Sequence, residues 1–199
     1  MSFISQLSAL RAVGLSASPA GVTSRSRLLL EGALARLRAF YIGTTLVDLA
    51  TLPAEALLGR EQNAQLDAAT AAVSSAHLVV VATPVYRASY SGLLKVFMDL
   101  LDERALVDKV AVPIASGGGP SHLLAIDHGL RPLLSSLGAT VISGGVYAAP
   151  SAFVRDAPSA DLLERIDHSL TEAVSLAVAT SARLESLPFE KVNHHARLP

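Results

Sequence analysis

The sequence predicts a three-layer α/β/α domain built on a five-stranded parallel sheet of order 2-1-3-4-5, and three observations carry the prediction. Short apolar runs rich in β-branched residues recur at 77–83 (HLVVVAT), 109–115 (KVAVPIA) and 139–143 (ATVIS). They are continuous rather than alternating, as strands covered by helices on both faces require. Helical patterns fall between them, so that strand and helix alternate five times, the signature of βαβ units with right-handed crossovers.

The elements follow in order. A first strand spans 10–16, weakened by Arg11 and Gly14, and leads into a helix over 24–39. A second strand, 44–49, precedes a helix over 62–76; the strand at 77–83 precedes one over 91–101; the strand at 109–115 precedes one over 121–137. The strand at 139–143 is followed by a last helix over 159–184. Ser24, Ser91 and Ser121 have the chemistry of N-caps at three of these helix starts. The strand order comes from the fold class, since periodicity does not determine it. Residues 1–188 form one domain, and 189–199 read as a polar tail.

Composition narrows the function. With 51% hydrophobic and 17% charged residues, the chain has material for one substantial core. Its 16 basic and 17 acidic residues leave no summed positive field for nucleic acid or an anionic membrane. The absence of cysteine removes disulfides, thiolate metal sites, iron–sulfur clusters and a cysteine nucleophile, so any redox chemistry needs a borrowed cofactor. No signal peptide or membrane-length apolar run is present, which points to the cytoplasm.

Loop chemistry is concentrated on one rim. At the carboxyl ends of strands one, three and four stand Ser16-Ala17-Ser18-Pro19-Ala20-Gly21, Thr83-Pro84-Val85-Tyr86-Arg87-Ala88-Ser89-Tyr90 and Ser116-Gly117-Gly118-Gly119-Pro120. In the order 2-1-3-4-5 these loops converge at the switch point, where open α/β sheets bind ligands. The first loop runs on to Ser24-Arg25-Ser26, and its helix-start N–H groups, hydroxyls and guanidinium suit a phosphate monoester; an ordinary capped loop has the same composition. It ends in neither the Gly-Lys-Ser/Thr of a Walker loop nor a Gly-x-Gly-x-x-Gly fingerprint, so FMN fits better than a triphosphate or a dinucleotide. In the second loop Pro84 ends the strand and holds the chain extended, leaving backbone N–H groups and the Tyr86 ring toward the crevice, either as the border of a flat ligand or as a plain turn. In the third, the glycines permit positive φ and close approach to the polar edge of an isoalloxazine, or simply a flexible turn.

The stretches Ser18-Pro19, Ser24-Arg25-Ser26, 82–95 (ATPVYRASYSGLLK), 123–127 (LLAID) and Arg131-Pro132-Leu133-Leu134 resemble the NAD(P)H-dependent FMN reductases, and most closely the flavin reductase components of alkanesulfonate monooxygenase systems. The resemblance implies a flavodoxin-like fold in which Ser18, Ser24, Arg25 and Ser26 hold the FMN phosphate. It places Pro84, Val85, Tyr86 and Ser89 along the isoalloxazine and Ser116, Gly117 and Gly118 at its polar edge. The chain departs from the family's Gly-Ser-Pro-Arg with Ala17-Ser18-Pro19-Ala20. It carries His128 where relatives often have a tyrosine, at an inserted, helix-widening residue linked to tetramer packing and flavin exchange; a packing role without chemistry is the other reading. Lys95 and Asp99 form an i, i+4 charge pair that the resemblance sets beneath the flavin loop. No histidine has a metal-ligand spacing.

Implied, then, are FMN with NADPH or NADH as cofactors, a flavin-dependent monooxygenase as recipient of reduced flavin, and a homodimer or homotetramer, with no nucleic acid or membrane. The competing readings are a reductase of quinones, azo dyes or metal oxyanions that retains its FMN, and a flavodoxin-like electron carrier.

Overall fold

The computed structural model of the chain describes residues 3–186, and the polar tail at 189–199 lies outside them. The elements are α1 (Phe3–Ala9), β1 (Arg11–Ser16), α2 (Arg25–Ala39), β2 (Gly43–Asp48), α3 (Ala54–Leu57), α4 (Ala64–Ser75), β3 (Leu78–Pro84), α5 (Gly92–Met98) and β4 (Val110–Ser116). After β4 come α6 (Arg131–Ser136), β5 (Thr140–Val141), β6 (Val146–Ala148), β7 (Phe153–Val154), β8 (Ala157–Pro158) and α7 (Ala160–Ser186).

The sheet is parallel, as the alternation of strands and helices predicts, with the order β2-β1-β3-β4-β5 expected of the fold class. Its fifth lane differs from the single strand expected at 139–143. Only Thr140 and Val141 pair with β4 there; the ladder breaks and resumes at Val146–Ala148, opposite Ile114–Ser116. Glu172 of α7 accounts for the break by accepting the backbone N–H and hydroxyl of Ser143, both at 2.9 Å. Those hydrogen bonds, with a further one from the Gly144 N–H and the charge of His168, hold Glu172 below the usual carboxylate range despite desolvation.

The two faces of the sheet are each buried by one layer of helices. Leu78, Val80, Ala82, Val110, Val112 and Ile114 face α1, α2 and α7, whereas Val79, Val81, Ala111 and Ala115 face α3 to α6. This two-sided burial is why β3 and β4 read as unbroken apolar runs. Gly14, which weakens the first strand as a sequence pattern, has a packing role: a Cβ there would stand 2.7 Å from Leu34 Cδ1 and 2.9 Å from Leu30 Cδ1. Its bareness lets α2 lie close to β1, and α2 in turn carries the first rim loop at its start.

The helix expected over 121–137 is three segments. A 3-10 turn occupies Pro120–Leu123, a π-helical segment occupies Ile126–Leu130, and α6 begins at Arg131. Ser121 therefore sits inside the 3-10 turn and Gly119 takes the cap position. Pro132 explains the irregularity, since it has no N–H to offer the preceding turn and its ring crowds the carbonyl four residues back. The Arg131 N–H reaches Ile126 O instead, a spacing of five. Among the described residues, no helix is long and apolar enough to cross a membrane.

Candidate flavin site

Strands β1, β3 and β4 end side by side. Ser16 is paired with Ala82, and Pro84 with Ser116, so with strands about 4.8 Å apart the three loops leave the sheet within roughly 10 Å of one another. This is the switch point, where the connection from β1 goes outward to β2 and that from β3 goes the other way.

The first loop ends at an uncapped helix. Ala17 N–H bonds Ala82 O at 2.9 Å, the buried Ser18 hydroxyl accepts from Ala20 N–H at 3.3 Å, and Gly21 turns the chain with φ of 55°. Ser24 stands at the N-cap of α2, as its sequence position suggests, yet its hydroxyl caps nothing: it lies 2.9 Å from the Ser26 hydroxyl. The first-turn N–H groups thus lack a side-chain acceptor, no acidic residue occupies that turn, and the positive end of the dipole is open. Ser16 Oγ, buried at the same strand end, has no hydrogen-bond partner. Arg25 is half-exposed and leans on Asp156 at 3.4 Å, with its guanidinium 4.9 Å from the Phe153 ring centroid. Arg27, one turn on, is engaged by Glu31 at 2.8 Å and by Asp48 at the end of β2.

The second loop is more constrained than a free extended segment. Val85 is 7% exposed and joins the core, and its N–H donates to Ser116 O at 2.7 Å. Tyr86 N–H is bonded to Ser89 O at 2.8 Å, with the reciprocal bond at 3.0 Å. The expectation of free N–H groups at Val85 and Tyr86 is therefore corrected: they build the loop, and the Val85 side chain faces inward. Between Tyr86 and Ser89, Arg87 and Ala88 adopt φ of 50° and 63°, a tight two-residue turn that leaves the Tyr86 side chain exposed on the rim. Ser91 ties this loop to the first one. Its hydroxyl donates to Ala17 O at 2.6 Å while accepting from Leu94 N–H at 3.2 Å, and its own N–H donates to Thr83 Oγ1 at 3.0 Å.

The third loop is shaped from behind by Tyr147 of β6. The Tyr147 hydroxyl donates to Gly119 O at 2.6 Å, and Gly117 N–H bonds Ala148 O at 3.2 Å. Desolvation raises the phenol above its usual pKa, keeping it a donor. None of Gly117, Gly118 and Gly119 takes the positive φ that the sequence allows. Gly117 is needed for space, because a Cβ there would lie 2.6 Å from Tyr147 Oη and 3.2 Å from the buried, unpartnered His122 Nδ1. Gly118 faces open space.

The π-helical segment abuts the second loop. A Cβ on Gly129 would meet the Tyr90 ring at 3.3 Å and Ser89 Oγ at 3.6 Å, so the widened turn that carries the exposed His128 packs against the segment holding Tyr86 and Ser89. Lys95 and Asp99 form an exposed pair at 2.5 Å along one side of α5, and the bond to Asp99 raises the Lys95 pKa. One groove, of about 580 Å³, lies behind the third loop, bounded by Pro120, Tyr147 and Arg165, and an apolar one of about 600 Å³ lies away from the rim between α1, α2 and α7.

Open N–H groups at the start of α2, serine hydroxyls at positions 18, 24 and 26 and an arginine fit a phosphate monoester, and an orphaned buried hydroxyl stands at the end of the strand that leads into this loop. The loops beside it fit a flat ring with one polar edge. Arg27, Asp48, Ser91, Tyr147 and Phe153 support this rim without being legible as site residues in the sequence. Only Ser91 carried a signal, as an N-cap.

A doubly wound sheet of this order, flanked by helices on both faces, defines a flavodoxin-like protein. The fold matches a flavodoxin of Streptococcus pneumoniae with a TM-score of 0.55 at 17% identity, covering 84% of this chain and 99% of that one. Residues 10–154 match the family model described as NADPH-dependent FMN reductase, and the chain belongs to that family. It is 41% identical over 146 residues to the FMN reductase (NADPH) of Escherichia coli K12, covering 73% of this chain and 76% of the relative. It is 36% identical over 168 residues to the NADH-dependent FMN reductase SfnE of Pseudomonas putida, covering 82% and 90%. A crystal structure of the NADH:FMN oxidoreductase EMOB superposes with a TM-score of 0.73 at 38% identity, covering 82% of this chain and 90% of that one.

Proposed function

We propose that the chain is an NAD(P)H-dependent FMN reductase that releases reduced FMN to a flavin-dependent monooxygenase. When bound, FMN supplies the redox chemistry, hydride transfer from nicotinamide C4 to flavin N5. The first turn of α2 with Ser18, Ser24, Arg25 and Ser26 holds the phosphate. Pro84, Tyr86 and Ser89 border the ring, with Val85 anchoring that border from the core, and Ser116, Gly117 and Gly118 meet the polar edge. The protein's part is to orient two flat rings and to hold hydrogen-bond donors at the edge that gains charge, so no side-chain acid or base is assigned. The observation that carries this reading is the uncapped start of α2, its capping hydroxyl diverted to Ser26, on the same rim as the Tyr86 and glycine loops.

The reading includes assembly of two or four copies through α5 and the π-helical segment, supported by exposed Leu123 and Leu124 beside that segment. It also places the reaction in the cytoplasm.

Titration with FMN and riboflavin tests the site. Arg25→Ala is expected to weaken FMN roughly tenfold or more, the size of a charge-assisted phosphate contact, with little effect on riboflavin. Equal losses would refute the phosphate role, and no flavin binding at micromolar concentration would overturn the whole reading. NADPH or NADH oxidation that rises with added FMN is the expected kinetic behaviour. Turnover of a quinone on a tightly held flavin would assign the chain to the flavin-retaining reductases instead.

A further inference from the structure

The cation best placed to take the FMN phosphate is already shared with a carboxylate. Beyond β6 the chain makes a small antiparallel hairpin in which Phe153 pairs with Pro158 and Val154 with Ala157. Its two-residue turn is Arg155-Asp156, with φ of 49° and 64°. Both central residues of such a turn need positive φ, which glycine and asparagine adopt far more readily than arginine. The conformation is therefore imposed by its surroundings, and it brings Asp156 to Arg25, 131 positions away in the sequence, at 3.4 Å. Phe153 at the base of the hairpin lies under the same guanidinium, 4.9 Å from ring centroid to Cζ.

The electrostatic balance at this end of the rim depends on that contact. Arg27 is committed to Glu31 and Asp48, and the first turn of α2 contains no acid. Arg25 is left as the positive side chain beside the uncapped N–H groups, and Asp156 offsets it. We propose that Asp156 is a built-in competitor for Arg25, which the phosphate of FMN must displace, and that the β7–β8 hairpin thereby weakens flavin binding and promotes flavin exchange. This rests on the assignment of Arg25 to the phosphate. It deepens that assignment by naming the element that sets the affinity. The side chains of Arg25 and Asp156 are 44% and 93% exposed, so the effect has the scale of a surface ion pair, roughly two- to fivefold in affinity. That suffices to tune exchange and is too small to abolish binding.

Equilibrium titration with FMN and with riboflavin, on the full chain at low salt, tests the proposal with Asp156→Asn, Arg25→Ala and the double variant. Asparagine tolerates the positive φ of residue 156, so the turn is kept. Asp156→Asn is expected to tighten FMN about two- to fivefold, mostly through slower dissociation, and to leave riboflavin unchanged. The gain should shrink in concentrated salt and vanish in the Arg25→Ala background. FMN affinity that is unchanged or weaker in Asp156→Asn, or riboflavin tightened by the same factor, overturns the proposal. A gain that persists without Arg25 overturns it too, since it would show direct repulsion between Asp156 and the phosphate. If Arg25→Ala alone leaves the ratio of FMN to riboflavin affinity at its wild-type value, the phosphate assignment itself is wrong, and that result is read independently of Asp156.

Discussion

Substituting Gly117 by alanine tests how the glycine loop is held. The added Cβ would lie 2.6 Å from Tyr147 Oη and 3.2 Å from both Tyr147 Cε2 and His122 Nδ1. Tyr147 has no easy retreat: it is 8% exposed, its hydroxyl donates to Gly119 O at 2.6 Å, and its backbone carbonyl accepts from Arg165 at 3.0 Å. Overpacking of this kind costs about 1–3 kcal/mol, and displacing the hydroxyl forfeits a hydrogen bond of about 1 kcal/mol. The expected loss is thus about 2–4 kcal/mol, which for a domain of this size lowers Tm by roughly 4–16 °C. Thermal unfolding measures it, and flavin titration should show FMN and riboflavin weakened by the same factor, since the proposed site sets this loop against the ring and not the phosphate. Gly117→Ala combined with Tyr147→Phe removes the closest contact and should recover part of the loss. An unchanged Tm in the single variant, or losses that simply add in the double one, would refute the steric argument.

Other outcomes follow from the same geometry. Ser91→Ala removes both the 2.6 Å bond to Ala17 O and the cap on Leu94 N–H; a loss of about 1–3 kcal/mol is expected in chemical denaturation, together with weaker binding of FMN and riboflavin alike, because the first and second loops come apart. His77 accepts the Arg11 N–H on Nδ1 at 3.1 Å, and its pKa is lowered by burial and then by the charges of Arg11 and Lys109. Because the folded state disfavours the imidazolium, the unfolded chain binds the extra proton first. The stability His77 contributes is therefore complete above its ordinary pKa near 6.5 and is lost as pH falls below that toward the lowered value. His77→Gln should flatten the pH dependence of unfolding in that window, and a profile identical to wild type would contradict the assignment.

The parts of the molecule that were legible in the sequence are those where one physical rule dominates. β3 and β4 are buried on both faces and are spelled out as apolar runs; Ser91 is both a cap by composition and a cap in fact. The parts that were not legible depend on distant partners. The run ATVIS looks like a full strand, but Glu172, 29 residues on, takes the Ser143 N–H out of the ladder. The helix pattern over 121–137 is apolar at helical spacing, and only Pro132 signals that its hydrogen bonds cannot be regular. At the candidate site, the convergence of the three loops on one rim was visible from the strand order, and the serines and Arg25 were picked out by their chemistry. The inward turn of Val85, the steric demand on Gly117 and the approach of Asp156 to Arg25 were not, since each is set by residues brought near only by folding. The β7–β8 hairpin gives no warning, because Arg-Asp is not a turn sequence that local preference would select.

The broken fifth lane has a consequence for association. A sheet ending in a long unpaired strand offers its backbone to any other extended chain. Here the outer lane is two residues, a gap and three residues, with Arg131 reaching from α6 to occupy the carbonyls of Ile142 at 2.8 Å and Ser143 at 3.2 Å. That border is too short, and too fully occupied by the protein's own side chains, to be extended by a neighbouring strand. Copies of this chain that meet on this side would therefore do so through helical surfaces, which can separate and re-form without disturbing the sheet that carries the three rim loops.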